Sequence, residues 1–364
     1  MKQLFVYIAA SLALTACTST DLDAPTGEVS SDGTGMLSIR NIGLTIDTKA
    51  IYNGVAASGA NKLSSIGVIV TKAEGANKAY YSTDTKNQKQ TFTYGASSWT
   101  PDVQLPLTTT EGTLYAWAPS TLVGSLPATA SAAAPTVADT EIKAAQTYVY
   151  NADVAKNELT TDQEDYLYAT SAPTTVNRKN NVVATLAMQH ALAKVSFRVM
   201  KVNGQTVSDT EDFVKKITLT ADAASFVTSA ATGATMSLAD GTFTGTTTAT
   251  ALTFTADKTW GQVATYVDKA GTADFDNVSA QAFGLVAPVT SVAKIKITLT
   301  LGTTANANSD CDYISAEDAL TSVTWEKGKH YIYTLTVTDR NVSITSVTVA
   351  DWTDTTITPS VPVK

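Results

Sequence analysis

What this 364-residue chain has little of sets most of its limits. It contains two cysteines and two histidines. That is too few for a disulfide framework, and no Cys/His cluster has zinc-ligand spacing. His190 and His330 each stand beside a strand-like run, and neither belongs to an H-E-x-x-H pattern. There is no G-x-S-x-G elbow, no P-loop and no calcium-loop pattern. Charge is sparse as well: 16% of residues are charged and the formal net charge is -8. A nucleic-acid partner would call for a basic stripe, and there is none. Asp162, Glu164 and Asp165 fall in a turn-like stretch, where carboxylates are solvated or cap the turn, and nothing in the sequence pairs them for glycoside hydrolysis. The sequence thus predicts no enzyme, no catalytic residue, no cofactor and no metal. Cys311 reads as a small buried hydrophobe. The five tryptophans, Trp99, Trp117, Trp260, Trp325 and Trp352, read as core or sheet-edge residues before they read as a sugar platform.

Long apolar runs are also missing, apart from Leu4–Leu14 near the start. That run is too short for an ordinary transmembrane helix. With Lys2 before it and Ala16 after it, it has the layout of a signal peptide over residues 1–16. Leu14-Thr15-Ala16-Cys17 resembles a lipobox. It implies cleavage before Cys17 and acylation of that residue, with each buried CH₂ adding about 0.8 kcal/mol of membrane affinity. Residues 18–35 are Ser-, Thr-, Asp- and Gly-rich. As a coil they would span on the order of 25 Å and hold a domain just off a surface.

What remains is strand after strand. Leu37 and Ile39 share one parity and Ile42, Leu44 and Ile46 the other, which predicts a loop or bulge at Arg40-Asn41 between two short strands. Arginine is scarce, at positions 40, 178, 198 and 340. On local sequence alone, Arg40 reads either as a solvated loop residue or as a processing site. Ile66, Val68 and Val70 alternate. Thr113–Pro119 reads as a buried strand ending at proline. Residues 127–146 are Ala-rich and predict loop with a short helix near 140–146, and residues 174–181 read as an interdomain linker. Strands resume at Val182. Near the end, Tyr331, Tyr333, Leu335 and Val337 share a face, and a phase slip after Ile344 places a bulge at Thr345-Ser346. Many short alternating runs separated by turns predict an all-β sandwich fold. Beyond Trp352, Ile357, Val361 and Val363 keep one parity with no later strand to pair with. That pattern fits an edge strand, a frayed end, or a strand that pairs with another molecule.

Taken together, several motifs resemble the fimbrillin family, the type V pilins of Gram-negative anaerobes of the gut and mouth. They are the lipobox ending at Cys17, LYAWAP at 114–119, DYLYAT at 165–170 with MQHALAKVSFRV at 188–199, and GKHYIYTLTV with VTVADW between 328 and 352. The resemblance implies two transthyretin-like β-sandwich domains in tandem, here 41–182 and 183–364, behind a lipidated tether and removable first strand at 17–40. It implies export as a lipoprotein to the outer membrane, then incorporation into an extracellular fimbrium for adhesion. An arginine-specific protease would cut between Arg40 and Asn41. A C-terminal segment of the next subunit carrying Ile357, Val361 and Val363 would then fill the vacated groove. The implied partners are other pilin subunits, anchor and tip pilins among them. Pro359 and Pro362 remove donors from that segment and have opposite parity, so a fully paired donor is shorter than residues 355–364. The alternatives are an anchor or accessory pilin that keeps Cys17, or a surface adhesin or glycan-binding lipoprotein that does not polymerise.

Overall fold

A computed structural model describes residues 35–44, 55–58, 62–72, 79–95, 97–126, 134–150, 160–169, 175–179, 182–201, 213–257, 261–265, 268–269, 272–273, 279–302, 310–338, 341–351 and 361–362. Among these residues the fold is all-β, with one short 3-10 turn at Thr85–Asn87 and no α-helix. The first layer contains β1 (Gly35–Met36), β2 (Ser38–Leu44), β3 (Ser65–Lys72), β4 (Lys89–Tyr94), β5 (Trp99–Pro101), β6 (Pro106–Leu107) and β7 (Gly112–Ala118). β8 (Thr136–Ala138) and β9 (Ala145–Val149) leave it, and β10 (Leu167–Ala169) and β11 (Val183–His190) return to it. The sheet order is β2-β11-β10-β7-β3-β4-β5. The sheet rolls until β2 packs beside β5, and β1 pairs with β6 across the seam. The alternation in β3 sets its two faces: Ile66, Val68 and Val70 enter the core inside the roll, while Ile69 enters a second core on the outside. Burial on both faces explains why β3 is apolar almost throughout.

The second layer contains β12 (Ala193–Lys201), β13 (Phe213–Ala221), β14 (Thr235–Ser237), β15 (Ala251–Ala256), β16 (Ala282–Val286), β17 (Val289–Gly302), β18 (Cys311–Ile314), β19 (Leu320–Trp325), β20 (Lys329–Thr338) and β21 (Asn341–Asp351). One stretch of the sheet runs β9-β15-β13-β17, with β18 and β19 on the far edge of β17; the other runs β21-β20-β12-β16, and the two join where Ile314 of β18 pairs with Asn341 of β21. The residues facing each other across the sandwich are those the two-residue period selects. They include Val195, Phe197 and Val199 of β12, Tyr331, Tyr333 and Leu335 of β20, and Ile295, Ile297 and Leu299 of β17. The Tyr333 ring stacks on Phe197 at 5.6 Å, and its hydroxyl accepts the Trp325 indole N–H at 2.8 Å. Trp99, Trp117 and Trp325 are all buried, as the sequence reading expects, while Trp260 and Trp352 lie outside the described residues. Cys311 is partly buried against the same core.

Two sequence expectations change. The stretch expected to be helical near 140–146 is extended: Ile142 forms a bridge with Ser229, and β9 begins at Ala145. There, Gln146 and Tyr148 turn inward while Ala145, Thr147 and Val149 turn outward, a strand period that the Ala-rich flanks hide. Within the stretch expected as a linker, residues 175–179 are built into the fold. Thr175–Val176 pairs with β7, and Val176 is fully buried. The chain passes between layers at Ala191-Leu192, since β11 belongs to the first sheet and β12 to the second.

The two layers also exchange strands. β9 runs parallel to β15, placing Tyr148 in the second core, and β8 pairs antiparallel with β14. The Gln146 amide completes the contact as a backbone mimic. Its oxygen accepts the Leu285 N–H at 3.0 Å and its nitrogen donates to the Leu285 carbonyl.

Candidate functional site

The segment Gly35–Leu44 fills a seam. On one side, β1 pairs with β6, and the Leu37 N–H donates to the Leu105 carbonyl at 2.9 Å. On the other side, the Ser38 N–H donates to the Val182 carbonyl at 2.8 Å, and β2 runs parallel to β11 from Ser38 opposite Val183 to Leu44 opposite Met188. One short segment therefore satisfies two raw sheet edges that would otherwise expose backbone donors and acceptors. Gly35 is required at the entrance, because a Cβ there would meet Val182 Cγ1 at 2.6 Å.

The side chains follow from the backbone. Leu37 and Ile39 point into the first core and are 2% and 3% exposed. Strict alternation would send Asn41 inward next. Instead Ile39 stands opposite Ala184 and Asn41 opposite Thr185, so Arg40 is the extra residue of a bulge and has no partner in the ladder. The bulge resets the phase, and Ile42 turns inward at 4% exposed. The sequence expectation of a bulge at Arg40 holds, although the strand runs through it without a loop.

The C-terminal elements lie on the other layer. β21 pairs with β20 along one edge, and its register slips where Thr334 faces Ser346 and Leu335 faces Ile344. Thr345 is the bulged residue, where the sequence places it. On the outer edge of β21 lies the two-residue strand Val361–Pro362, with Val361 opposite Val347 and Pro362 opposite Ser346. A proline suits such an edge position. Ile357, Val363 and Cys17 lie outside the described residues. Within one chain, Arg40 and Val361 therefore sit in different sheets. The partners that complete the seam, Leu105 and Val182, carry no local signal in the sequence. Their carbonyls matter only once residues far apart in the chain are brought together.

The polar groups that might have carried chemistry serve the fold. His190 Nδ1 is hydrogen-bonded to Asp165 Oδ1 at 3.0 Å, with Oδ2 close by at 2.9 Å, and both side chains are buried. That pair ties the entry of β10 to the end of β11. His330 Nε2 lies 2.7 Å from the Ser196 hydroxyl, also buried. Asp162 accepts the Thr147 N–H at 2.7 Å and pairs with Lys143 at 3.1 Å. Partial desolvation pushes the Glu164 carboxyl, which keeps an exposed side, above its ordinary value; Asp165 adds to the shift and Lys143 opposes it. Among the described residues, no group of three or more His, Cys, Asp or Glu could hold a metal ion. No helix among them is long and apolar enough to cross a membrane.

The fimbrillin-like family model matches residues 48–352. Among solved structures, a candidate cell adhesion protein from Bacteroides ovatus ATCC 8483 is 18% identical, with 88% of this chain and 98% of that chain covered at a TM-score of 0.50. A fimbrial protein from Bacteroides vulgatus ATCC 8482 is 14% identical, covering 87% of this chain and 99% of that one at a TM-score of 0.48. A fimbrial assembly protein from Parabacteroides distasonis ATCC 8503 is 10% identical, with 89% and 98% covered and a TM-score of 0.37. No curated protein matches the sequence.

Proposed function

The chain belongs to the fimbrillin-like family, and from that premise we propose that it is a structural, non-enzymatic pilin subunit of the cell surface, delivered as a Cys17 lipoprotein and polymerised by strand exchange. The observation that carries this reading is the construction of the Gly35–Leu44 segment, whose core-filling residues Leu37 and Ile39 precede Arg40, the one residue of β2 without a partner in the β11 ladder. A protease must draw an extended stretch of substrate out of its sheet. A bulge is where the fewest bonds hold it. A cut after Arg40 frees Gly35–Arg40 and leaves Asn41–Leu44 in place, emptying the Leu37 and Ile39 pockets and baring the edge of β6 and the start of β11.

An extended segment from another subunit is the natural filling for such a groove. Main-chain bonds give affinity and alternate side chains occupy pockets. In the tail, Val361 and Val363 have the same two-residue spacing as Leu37 and Ile39. Pro362 falls between them, on the outward parity, where its side chain meets no pocket. Because one end of the subunit would donate and a different surface accept, the contact is head-to-tail and extends as an open filament when the rotation does not close.

The deciding experiment is the N-terminal sequence of the surface-assembled protein, read beside Arg40→Ala. Subunits beginning at Asn41, and an Arg40→Ala variant that stays unprocessed and monomeric, are the expected results. Polymer whose subunits begin at Cys17 would rule out the processed stalk and make the chain an anchor.

A further inference from the structure

One cavity takes no part in the seam or the tail. It lies in the second layer, among the Gly241–Thr246 turn, the Ala287–Thr290 corner and the Thr324–Lys327 turn, and has a volume of about 630 Å³. That size is ordinary for a small-molecule pocket. The floor is rigid: Trp325 is stacked on Phe226 at 5.8 Å and anchored through its N–H to Tyr333. The wall is Phe243, half-buried and held edge-on against Tyr166 at 5.9 Å. The Glu326 N–H donates to the Tyr331 hydroxyl at 2.9 Å, which fixes the turn that forms the rim.

The rim determines what the pocket suits. Thr246 and Thr290 bring hydroxyls to it, Thr324 a hydroxyl that donates to the Thr290 carbonyl at 2.8 Å and can still accept, and Glu326 an exposed carboxylate. The one cation in the lining, Lys327, is committed elsewhere, since its Nζ donates to the Asp240 carbonyl and sits 5.4 Å over the Tyr168 ring. An anionic ligand would meet the Glu326 carboxylate with no cation to spare. A cationic one would approach Lys327. A wholly apolar one would desolvate the rim hydroxyls without bonding them, which costs free energy at every group. A neutral ring with an apolar face and several hydroxyls meets both halves of the site: C–H groups against Phe243, hydroxyls against threonine and Glu326. We infer that this pocket is a binding site for a neutral sugar residue. It is independent of processing and strand exchange, and is open in the unassembled subunit.

The test is saturation-transfer NMR on the unprocessed protein with the methyl glycosides of glucose, galactose, mannose, fucose and N-acetylglucosamine, each at about 10 mM, in the range where single-residue affinities are measurable. Cyclohexylmethanol serves as the apolar probe. At least one glycoside should bind saturably. Phe243→Ala should weaken it about tenfold or more, and Thr290→Val and Glu326→Gln each about three- to tenfold, as expected for one hydrogen bond. Phe243→Ala also removes packing on Tyr166, so the two rim variants, which leave the floor and wall intact, carry the decision if it fails to fold. Binding of cyclohexylmethanol without any glycoside would overturn the inference. So would binding of none of the probes, or glycoside binding that the two rim variants leave unchanged. Because the measurement is made on monomer, its failure would leave the assembly reading untouched, and failure of assembly would leave this one standing.

Discussion

Consider a chain that begins at Asn41, compared with one that begins at Gly35. The shorter chain lacks β1 and the first half of β2. Leu37 and Ile39 are almost fully buried, and burial of each such side chain contributes roughly 1.5–3 kcal/mol. Their loss removes about 3–6 kcal/mol from the first layer, before counting the bonds to Leu105, Val182 and β6. Against a typical domain stability of about 5–15 kcal/mol, that leaves the layer close to marginal. With a urea slope of about 3 kcal/mol per molar, the midpoint should fall by about 1–2 M. The assay is urea unfolding followed by tryptophan fluorescence, since Trp99 and Trp117 report on this layer. Amide exchange at Leu107 and Val183–Leu186 gives the local readout. A synthetic peptide of residues 355–364 should then restore most of the loss. If the chain beginning at Asn41 unfolds at the same urea concentration as the longer one, the segment does not complete the core and the seam is not a groove. A drop in stability that the peptide fails to reverse would keep the groove but remove the tail as its filling.

Three further outcomes follow from particular residues. Cys17→Ala should abolish incorporation of labelled fatty acid and delivery to the outer membrane; a variant that labels and localises normally would refute the lipidation. Deleting residues 355–364, or replacing Val361 with Asp, should leave folded monomer that forms no ladder on denaturing gels after processing, because an unpaired charge in an apolar pocket is strongly disfavoured. For Glu164, the folded pKa is raised chiefly by partial desolvation, so the ionised form is penalised in the folded state. That penalty is absent below the unfolded pKa of about 4.3, grows as pH rises through the folded pKa, and is complete above it. Glu164→Gln should therefore raise the thermal midpoint at neutral pH and lose its advantage near pH 4, and a gap that stays constant with pH would contradict the assignment.

Much of this was legible in the sequence because strand parity is a local property. The inward faces of β20 and β12 could be read directly, and so could both bulges, since an extra residue flips every side chain after it. Arg40 and Thr345 were visible for that reason. What was hidden was non-local. The segment around Gln146 looks helix-compatible by composition, and only its parallel pairing with Thr253–Ala256 makes it a strand. Residues 174–181 are polar in sequence, yet Val176 is a core residue because β7 lies beside it. The cavity beside Phe243 is assembled from turns far apart in the chain, none of which carries a motif of its own.

The exchange of strands between the layers has a mechanical consequence. Two domains joined by a single thread behave under tension as beads on a string, with the thread taking the load and the joint bending freely. Here a pull on the two ends meets more than Ala191-Leu192. It must also break the β8–β14 ladder, slide β9 along β15 and tear the Gln146 amide from Leu285. In the parallel β9–β15 pair the bonds share a sliding load instead of opening one at a time. In the proposed polymer the subunit should therefore carry force as one stiff strut, and the first part to yield should be a joint between subunits rather than the middle of one.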